Sequence, residues 1–266
     1  MNILIPMAGE GSRFAQEGYQ VSKPLIPTTS LKLRKKVPMV AAAVLDLPDW
    51  DSSQILFIDR DFHQRDGSEL RLLEFFPKAQ FITLNQLTSG QATTCLQAKS
   101  FIDNDQELLI AGCDNGMVID EERFQDLKSQ SDCIVFTHQR HELVLRNPEA
   151  YGWVAENGSD DVLKVSVKKT ISQNPLEDHA IVATFWFRRG KDFVSAAEKM
   201  ISANDRVNNE FYVDQVINYV VQANLKVKVF PVTRYLCWGT PIDYENYEAT
   251  LLYWKDFLKI EEGKSK

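Results

Sequence analysis

The chain has little of what marks several large protein classes. Its 266 residues include four cysteines, Cys95, Cys113, Cys133 and Cys237, with no C-x-x-C spacing among them. That excludes a disulfide scaffold and a cysteine-based zinc site, and the thiols read as buried and free in a reducing compartment. Positive charge is in deficit: 37 acids against 30 Lys and Arg leave a net charge of -7. A nucleic-acid partner, which calls for a surplus of basic groups, is not expected. No apolar run approaches the ~18 residues of a membrane span. Met1–Met7 is too short for the apolar core of a secretion signal, and no basic segment precedes it. A soluble cytoplasmic chain, with no membrane partner, is the expectation. Internal repeats, low-complexity tracts and Gly/Ser-rich linkers are absent too.

What is present is a globular balance, 44% hydrophobic and 25% charged, over a length sufficient for one large α/β domain. Asn2–Pro6, Gln54–Asp59, Gln80–Leu84, Glu107–Ala111 and Asp132–His138 are short apolar runs bounded by turn residues, the mark of buried strands. Helix-compatible stretches alternate with them: Pro38–Leu47, Gly67–Phe76, Gly90–Phe101 and Asp120–Gln130, the last opening on acids that suit a helix N-terminus. Such alternation predicts a mostly parallel sheet with helices on both faces. Further on, Tyr151–Glu156, Val162–Lys168 and Ala180–Arg188 are strand-like with no helix between them, which predicts an added antiparallel element. Helices near Lys191–Ser202 and Asn209–Ala223, a strand Lys226–Pro231 and a helix from about Asp243 complete the pattern. The whole of 1–266 reads as a single domain.

The strongest local signal is Asn2-Ile-Leu-Ile-Pro-Met-Ala-Gly9-Glu-Gly11-Ser12-Arg13-Phe14, followed by Lys23-Pro24-Leu25-Ile26. A strand delivers the chain into a loop whose glycines let backbone N–H groups approach an anion. Arg13 adds a fork suited to phosphate and Lys23 a mobile point charge. Phe14 stands where a dinucleotide-binding loop would have its third glycine, and no Gly-Lys-Ser/Thr follows, so this is neither a Rossmann fingerprint nor a Walker A loop. Leu108-Leu-Ile-Ala-Gly112-Cys113-Asp114 is a buried strand ending in a carboxylate at the edge where open α/β sheets bind ligands. An Asp there can hold Mg²⁺ beside a phosphate. Asn85-Gln86-Leu-Thr-Ser-Gly90-Gln91-Ala92 offers glutamine amides able to read a pyrimidine edge, with Gly90 leaving room for a flat base. His138 and His141 lie three apart without a third ligand nearby in sequence, and with His63 and His179 they read as structural or solvated. No motif for a covalent nucleophile is present.

Gly-x-Gly-Ser-Arg-Phe after a first strand, with Lys-Pro-Leu-Ile some ten residues on, resembles the signature of the sugar-phosphate nucleotidylyltransferases. The resemblance implies a Rossmann-like fold akin to that of GT-A glycosyltransferases, with a donor half (1–140) and an acceptor half (141–266). It implies transfer of an NMP, a pyrimidine nucleotide favoured, from an NTP to a sugar 1-phosphate or similar small phosphorylated acceptor. It assigns Ala8, Gly9, Gly11 and Ser12 to the NTP phosphates, Arg13 and Lys23 to the reacting phosphates, and Gln86, Gly90 and Gln91 to the base. Asp114 becomes the Mg²⁺ ligand, and Gly152, Lys169 and Glu210 face the acceptor; oligomers are possible in such a family. Three departures stand out. Thr28–Lys36 is longer and more basic than the usual turn, Lys168 holds the place of a Glu, and Cys237, two residues before Gly239-Thr240, holds the place of a second acid. Mg²⁺ prefers oxygen to sulfur, so Glu210, Asp214 and Asp243 are the candidates for a second ligand. The departures also suit a cytidylyltransferase acting on a non-sugar phosphate. Two rivals are a GT-A glycosyltransferase, which typically carries Asp-x-Asp where this chain has Asp114-Asn-Gly, and a nucleotide sensor that has lost catalysis.

Overall fold

The computed structural model describes residues 1–264. Its strands are β1 (Asn2–Pro6), β2 (Pro27–Ser30), β3 (Lys35–Pro38), β4 (Gln54–Arg60), β5 (Gln80–Leu84), β6 (Leu108–Ile110), β7 (Asn115–Val118), β8 (Cys133–His138), β9 (Gly152–Glu156), β10 (Val162–Val167), β11 (His179–Phe187), β12 (Val227–Pro231) and β13 (Arg234–Cys237). Nine of them form one sheet, in which β5, β4, β1 and β6 run parallel in that order. The antiparallel element exists and enters the sheet's interior. β11 pairs antiparallel with β6, β8 and β9, and β10 closes onto β9. Its burial on both faces explains the position, because a strand so apolar has no solvent side to offer.

Period-two alternation divides the core between the two faces of the sheet. Leu4, Leu56, Ile58 and Ile110 pack with Ala92 and Cys95 and with the helices Gly190–Ser202 and Val213–Gln222. Ile3, Ile5, Ile55, Phe57 and Leu109 face the other way, toward the Met39–Leu45 helix and Phe124 of the Glu121–Gln130 helix. Asp120 caps the latter, its carboxylate accepting from the Arg123 N–H at 3.0 Å. Trp186, fully buried among Phe124 and the sheet, is a sensitive point. Trp186→Ala is expected to cost about 3–5 kcal/mol, read as a lowered urea midpoint with an unchanged slope.

Two expected helices are shorter than their patterns. Gly90–Phe101 is split into Gln91–Cys95, a 3-10 turn Leu96–Ala98 and Lys99–Ile102. The Thr93 and Thr94 hydroxyls both donate to the Gly90 carbonyl, the local competition that weakens helices at such residues. Asn209–Ala223 becomes helical only at Val213, because Val207 and Glu210 exchange both backbone hydrogen bonds across Asn208 and Asn209, which sit at φ 49° and 65°. The basic Thr28–Lys36 stretch forms the β2–β3 hairpin, clamped to the Pro241–Lys264 helix. Tyr244 and Tyr247 donate to the Pro27 and Thr29 carbonyls, and Glu248 accepts from Thr29 and pairs with Lys36 at 3.3 Å. Among the described residues no helix is long and apolar enough to cross a membrane.

Candidate active site

The site lies at the carboxyl edge of β1 and β6. After β1 the chain turns through Gly11, whose φ of 62° is the left-handed conformation glycine tolerates, and enters the short Ser12–Gln16 helix. A Cβ at Gly11 would sit 3.1 Å from that of Lys23, so the two halves of the motif pack directly together. Phe14 points inward, edge-on to Tyr19 and Tyr244, and the Lys23 ammonium lies 5.4 Å from the centre of its ring. Arg13 points outward and is exposed.

The centre is an ion pair. Lys23 Nζ lies 2.6 Å from Asp114 Oδ2 and donates to the Gly239 carbonyl at 3.0 Å. Burial works against the Lys23 ammonium, but the Asp114 carboxylate outweighs it and holds the lysine above its ordinary value. Burial likewise works against the Asp114 carboxylate, yet Lys23 and its hydrogen bond hold that carboxyl below the usual range. Both groups are therefore charged at neutral pH. The backbone N–H of Trp238 donates to the Asp114 carbonyl at 3.0 Å, and β13 pairs with β7 so that Cys237 lies opposite Asn115.

Two cavities meet at Arg13. The first, about 240 Å³, is lined by Gly11, Ser12, Arg13, Phe14, Lys23 and Gly239. The second, about 610 Å³, takes in Arg13, Asn147, Glu149, Lys168, Asn208 and Tyr212. Lys168, rather than its exposed neighbour Lys169, faces this second cavity. The cause is local: Lys168 adopts a left-handed φ of 59° just past the end of β10, which turns its side chain out of the strand's alternation. Its ammonium donates to the Ala150 carbonyl and lies 5.4 Å from the Tyr212 ring centre.

The remaining expected residues divide. Ala8 is buried beneath the loop and Gly9 is open, with nothing within 4 Å of where a Cβ would be. Gln86 is exposed and Gln91 half-buried, and neither amide has a hydrogen-bond partner among the described residues. The room that a Cβ would need at Gly90 is filled by the Phe211 backbone, so close chain packing accounts for glycine there. Gly152 makes room for the Asp214 carboxylate in the same way. Glu210 is exposed on the turn before Phe211. Tyr212 and the Gly239 carbonyl contribute although no role was assigned to them from the sequence, and Lys168, noted only as a departure from a Glu, takes the position expected of Lys169. A left-handed non-glycine residue leaves no mark in sequence, while Gly239 was at least part of a noted Gly-Thr-Pro element.

As for Mg²⁺, Asp114 offers one carboxylate, about a third exposed (32%). Among the described residues no three His, Cys, Asp or Glu side chains converge on a metal position. That donor set fits an ion that takes its other oxygens from phosphate and water, and does not fit one caged by protein alone. Burial pushes the Cys237 thiol up to about 11, so it is not a thiolate at neutral pH. Asp243 is engaged by the Thr240 hydroxyl at 2.6 Å, and Asp214 and Glu210 act on Lys168 at the second cavity.

No family model matches the sequence, and no curated protein does. Among solved structures the chain is similar to the nucleoside-diphosphate-sugar pyrophosphorylase from Vibrio cholerae RC9, with TM-score 0.71 and 22% identity over 92% of this chain and 98% of that one. It is similar also to a UDP-glucose pyrophosphorylase complexed with UDP-glucose, with TM-score 0.67 and 15% identity over 96% and 98%. The inositol-1-phosphate CTP transferase from T. maritima gives TM-score 0.66 and 13% identity over 93% of each chain. Over nearly its whole length, then, the chain has the α/β fold of these nucleotide-handling proteins.

Proposed function

We propose that the protein transfers a nucleoside monophosphate from an NTP, a pyrimidine NTP favoured, to a sugar 1-phosphate or similar small phosphorylated acceptor, with release of pyrophosphate. The observation that carries this reading is Arg13, an exposed guanidinium lining two cavities that each contain a lysine, Lys23 in one and Lys168 in the other. In a chain of net charge -7, three cations gathered at one sheet edge suit two phosphate-bearing substrates. The similarity in fold to a UDP-glucose pyrophosphorylase and a CTP transferase supports it.

In this reaction an acceptor phosphate oxygen forms a bond to the α-phosphorus while the bond from that phosphorus to the bridging oxygen breaks, in line, and pyrophosphate leaves. No proton need move and no covalent intermediate need form; positioning and charge stabilisation supply the acceleration. The loop of Gly9, Gly11 and Ser12 holds the triphosphate by backbone N–H groups, and Lys23 meets the charge that builds on the departing pyrophosphate. Lys168 and Arg13 bring the acceptor phosphate to the same point. Asp114 is the residue that would hold Mg²⁺, which when bound withdraws electron density from the α-phosphate.

The test is a matrix of CTP, UTP, dTTP, ATP and GTP against sugar 1-phosphates and non-sugar phosphates, scored by pyrophosphate release. Silence across CTP, UTP and dTTP would overturn the proposal, and NTP binding without release would identify a sensor. Lys168→Met is expected to raise the acceptor KM by ~10–100-fold, the worth of one charge-assisted hydrogen bond, with the NTP KM little changed.

A further inference from the structure

We propose that the tip of the β2–β3 hairpin and the aromatic face of the C-terminal helix together dock on an anionic lipid bilayer. The inference goes beyond nucleotidyl transfer and does not rest on it.

Residues 30–38 hold Lys32, Arg34, Lys35 and Lys36 and no acid, in a chain whose net charge is -7. The deficit of cations over the whole chain gave no reason to expect a membrane partner; on this one projection the sign is reversed. Lys36 pairs with Glu248. Lys32, Arg34 and Lys35 are exposed, and their side chains make no hydrogen bond or ion pair among the described residues. Leu33, at the turn between them, is 41% exposed. None of these residues lines either cavity at Arg13.

The Pro241–Lys264 helix runs beside the hairpin in the same direction, since Tyr244 reaches the Pro27 carbonyl and Tyr247 and Glu248 reach Thr29. At about 3.4 Å per strand residue and about 1.5 Å per helical residue, the hairpin tip is roughly level with the helical turn around Trp254. There Tyr253 stacks on Phe257 at 6.4 Å, and Trp254 stands edge-on to each at 5.6 Å. Tyr253, Trp254 and Phe257 are 64%, 53% and 40% exposed. Lys255 and Asp256 are the charged residues from Leu251 to Phe257.

Two features choose the occupant. Cations beside exposed Tyr and Trp are what a bilayer interface accepts, the rings among the headgroups and each cation against anionic lipid. A second copy of the chain fits less well. Three rings about half exposed offer on the order of 300 Å², against the ~800 Å² per partner of a stable pair.

The test is co-sedimentation of the full chain with vesicles of phosphatidylcholine alone and of phosphatidylcholine and phosphatidylglycerol in equal parts. Binding is expected to the anionic vesicles only. It should be lost as salt rises from about 0.1 M to about 1 M, which shortens the screening length from ~10 Å to ~3 Å. Lys32→Ala, Arg34→Ala and Lys35→Ala combined should weaken partitioning ~100-fold, about 5-fold for each charge. Trp254→Ser with Phe257→Ser should weaken it at least ~10-fold, through the apolar area no longer buried. These side chains are exposed, so urea midpoints close to the parent's are expected and separate lost docking from lost folding. Equal sedimentation with both vesicles, none with either, or undiminished binding by the triple variant overturns the proposal. So does self-association of the parent without lipid that Trp254→Ser with Phe257→Ser abolishes, since that gives the face to a second copy. No nucleotide enters the test, so a protein that releases no pyrophosphate would overturn the transfer reaction and leave this result as it stands.

Discussion

Asp114→Ala is expected to lower kcat by ~10³-fold or more, the several kcal/mol at stake when a metal ligand beside a reacting phosphate is lost. The side chain does two things that alanine cannot. On the proposed reaction it would offer the oxygen for Mg²⁺ at the edge of β6, and it holds the Lys23 ammonium at 2.6 Å in the wall of the first cavity. Without it Lys23 retains the Gly239 carbonyl alone, and burial, opposed by less, draws its pKa down. Stability should fall less than activity, by about 1–3 kcal/mol, since the pair is partly open to water and water replaces some of what is lost. Asp114→Asn separates the two roles: it keeps an oxygen near Lys23 but weakens metal binding. Steady-state pyrophosphate release against Mg²⁺ concentration reads the difference. Near-normal turnover in Asp114→Ala would remove Asp114 from the chemistry.

Gly90→Ala is expected to destabilise the protein by ~3 kcal/mol or more, through backbone rather than side-chain packing. Gly90 sits at φ 124°, which side-chain-bearing residues rarely adopt, and an added Cβ would lie 2.5 Å from Phe211 N and 2.7 Å from Phe211 O. Neither atom is free to retreat. Phe211 N–H donates to the Ser89 carbonyl at 2.8 Å, and the Phe211 carbonyl accepts from Ala92 N–H at 2.9 Å. Gly9→Ala is the control: its φ is not positive, nothing lies within 4 Å of the new carbon, and the change should stay within about 1 kcal/mol. Urea unfolding decides; equal midpoints for the two variants would mean that the Ser89–Ala92 strip and Phe211 are not in register. Both substrates should bind Gly90→Ala poorly, because this strip joins the segment carrying Gln86 and Gln91 to the turn leading into Tyr212.

The strands of the sheet were legible because burial writes apolar runs, unbroken in the doubly covered Asn2–Pro6 and interrupted by Thr83 in the half-exposed edge strand Gln80–Leu84, and the structure reproduces the bounds of both. The β2–β3 hairpin was not, since its polar residues are held by Tyr244, Tyr247 and Glu248 more than 200 positions away. The pairing of β7 with β13 likewise joins short segments over 100 residues apart. At the site, the Gly-x-Gly-Ser-Arg loop, Lys23 and Asp114 were readable because their chemistry and order agree, and the structure does bring Lys23 and Asp114 together. The resemblance put Lys169 toward the acceptor and Lys168 in the place of a Glu, and a left-handed backbone at Lys168, invisible in the sequence, brought Lys168 to the second cavity instead. Gly90 was visible as a necessary glycine, yet the neighbour requiring it belongs to the other half of the chain.

Arg13 borders both cavities, so on the proposed reaction the two substrates would draw on a single guanidinium and their affinities would be linked. Whatever factor a bound NTP imposes on acceptor affinity, the acceptor must impose on the NTP. Each polyanion would gain less from a guanidinium already offset by the other, so the second substrate to arrive would bind less tightly than it does alone. Departure of pyrophosphate would return the guanidinium to the product that stays, so the competition that weakens the second substrate's arrival would also help the first product leave.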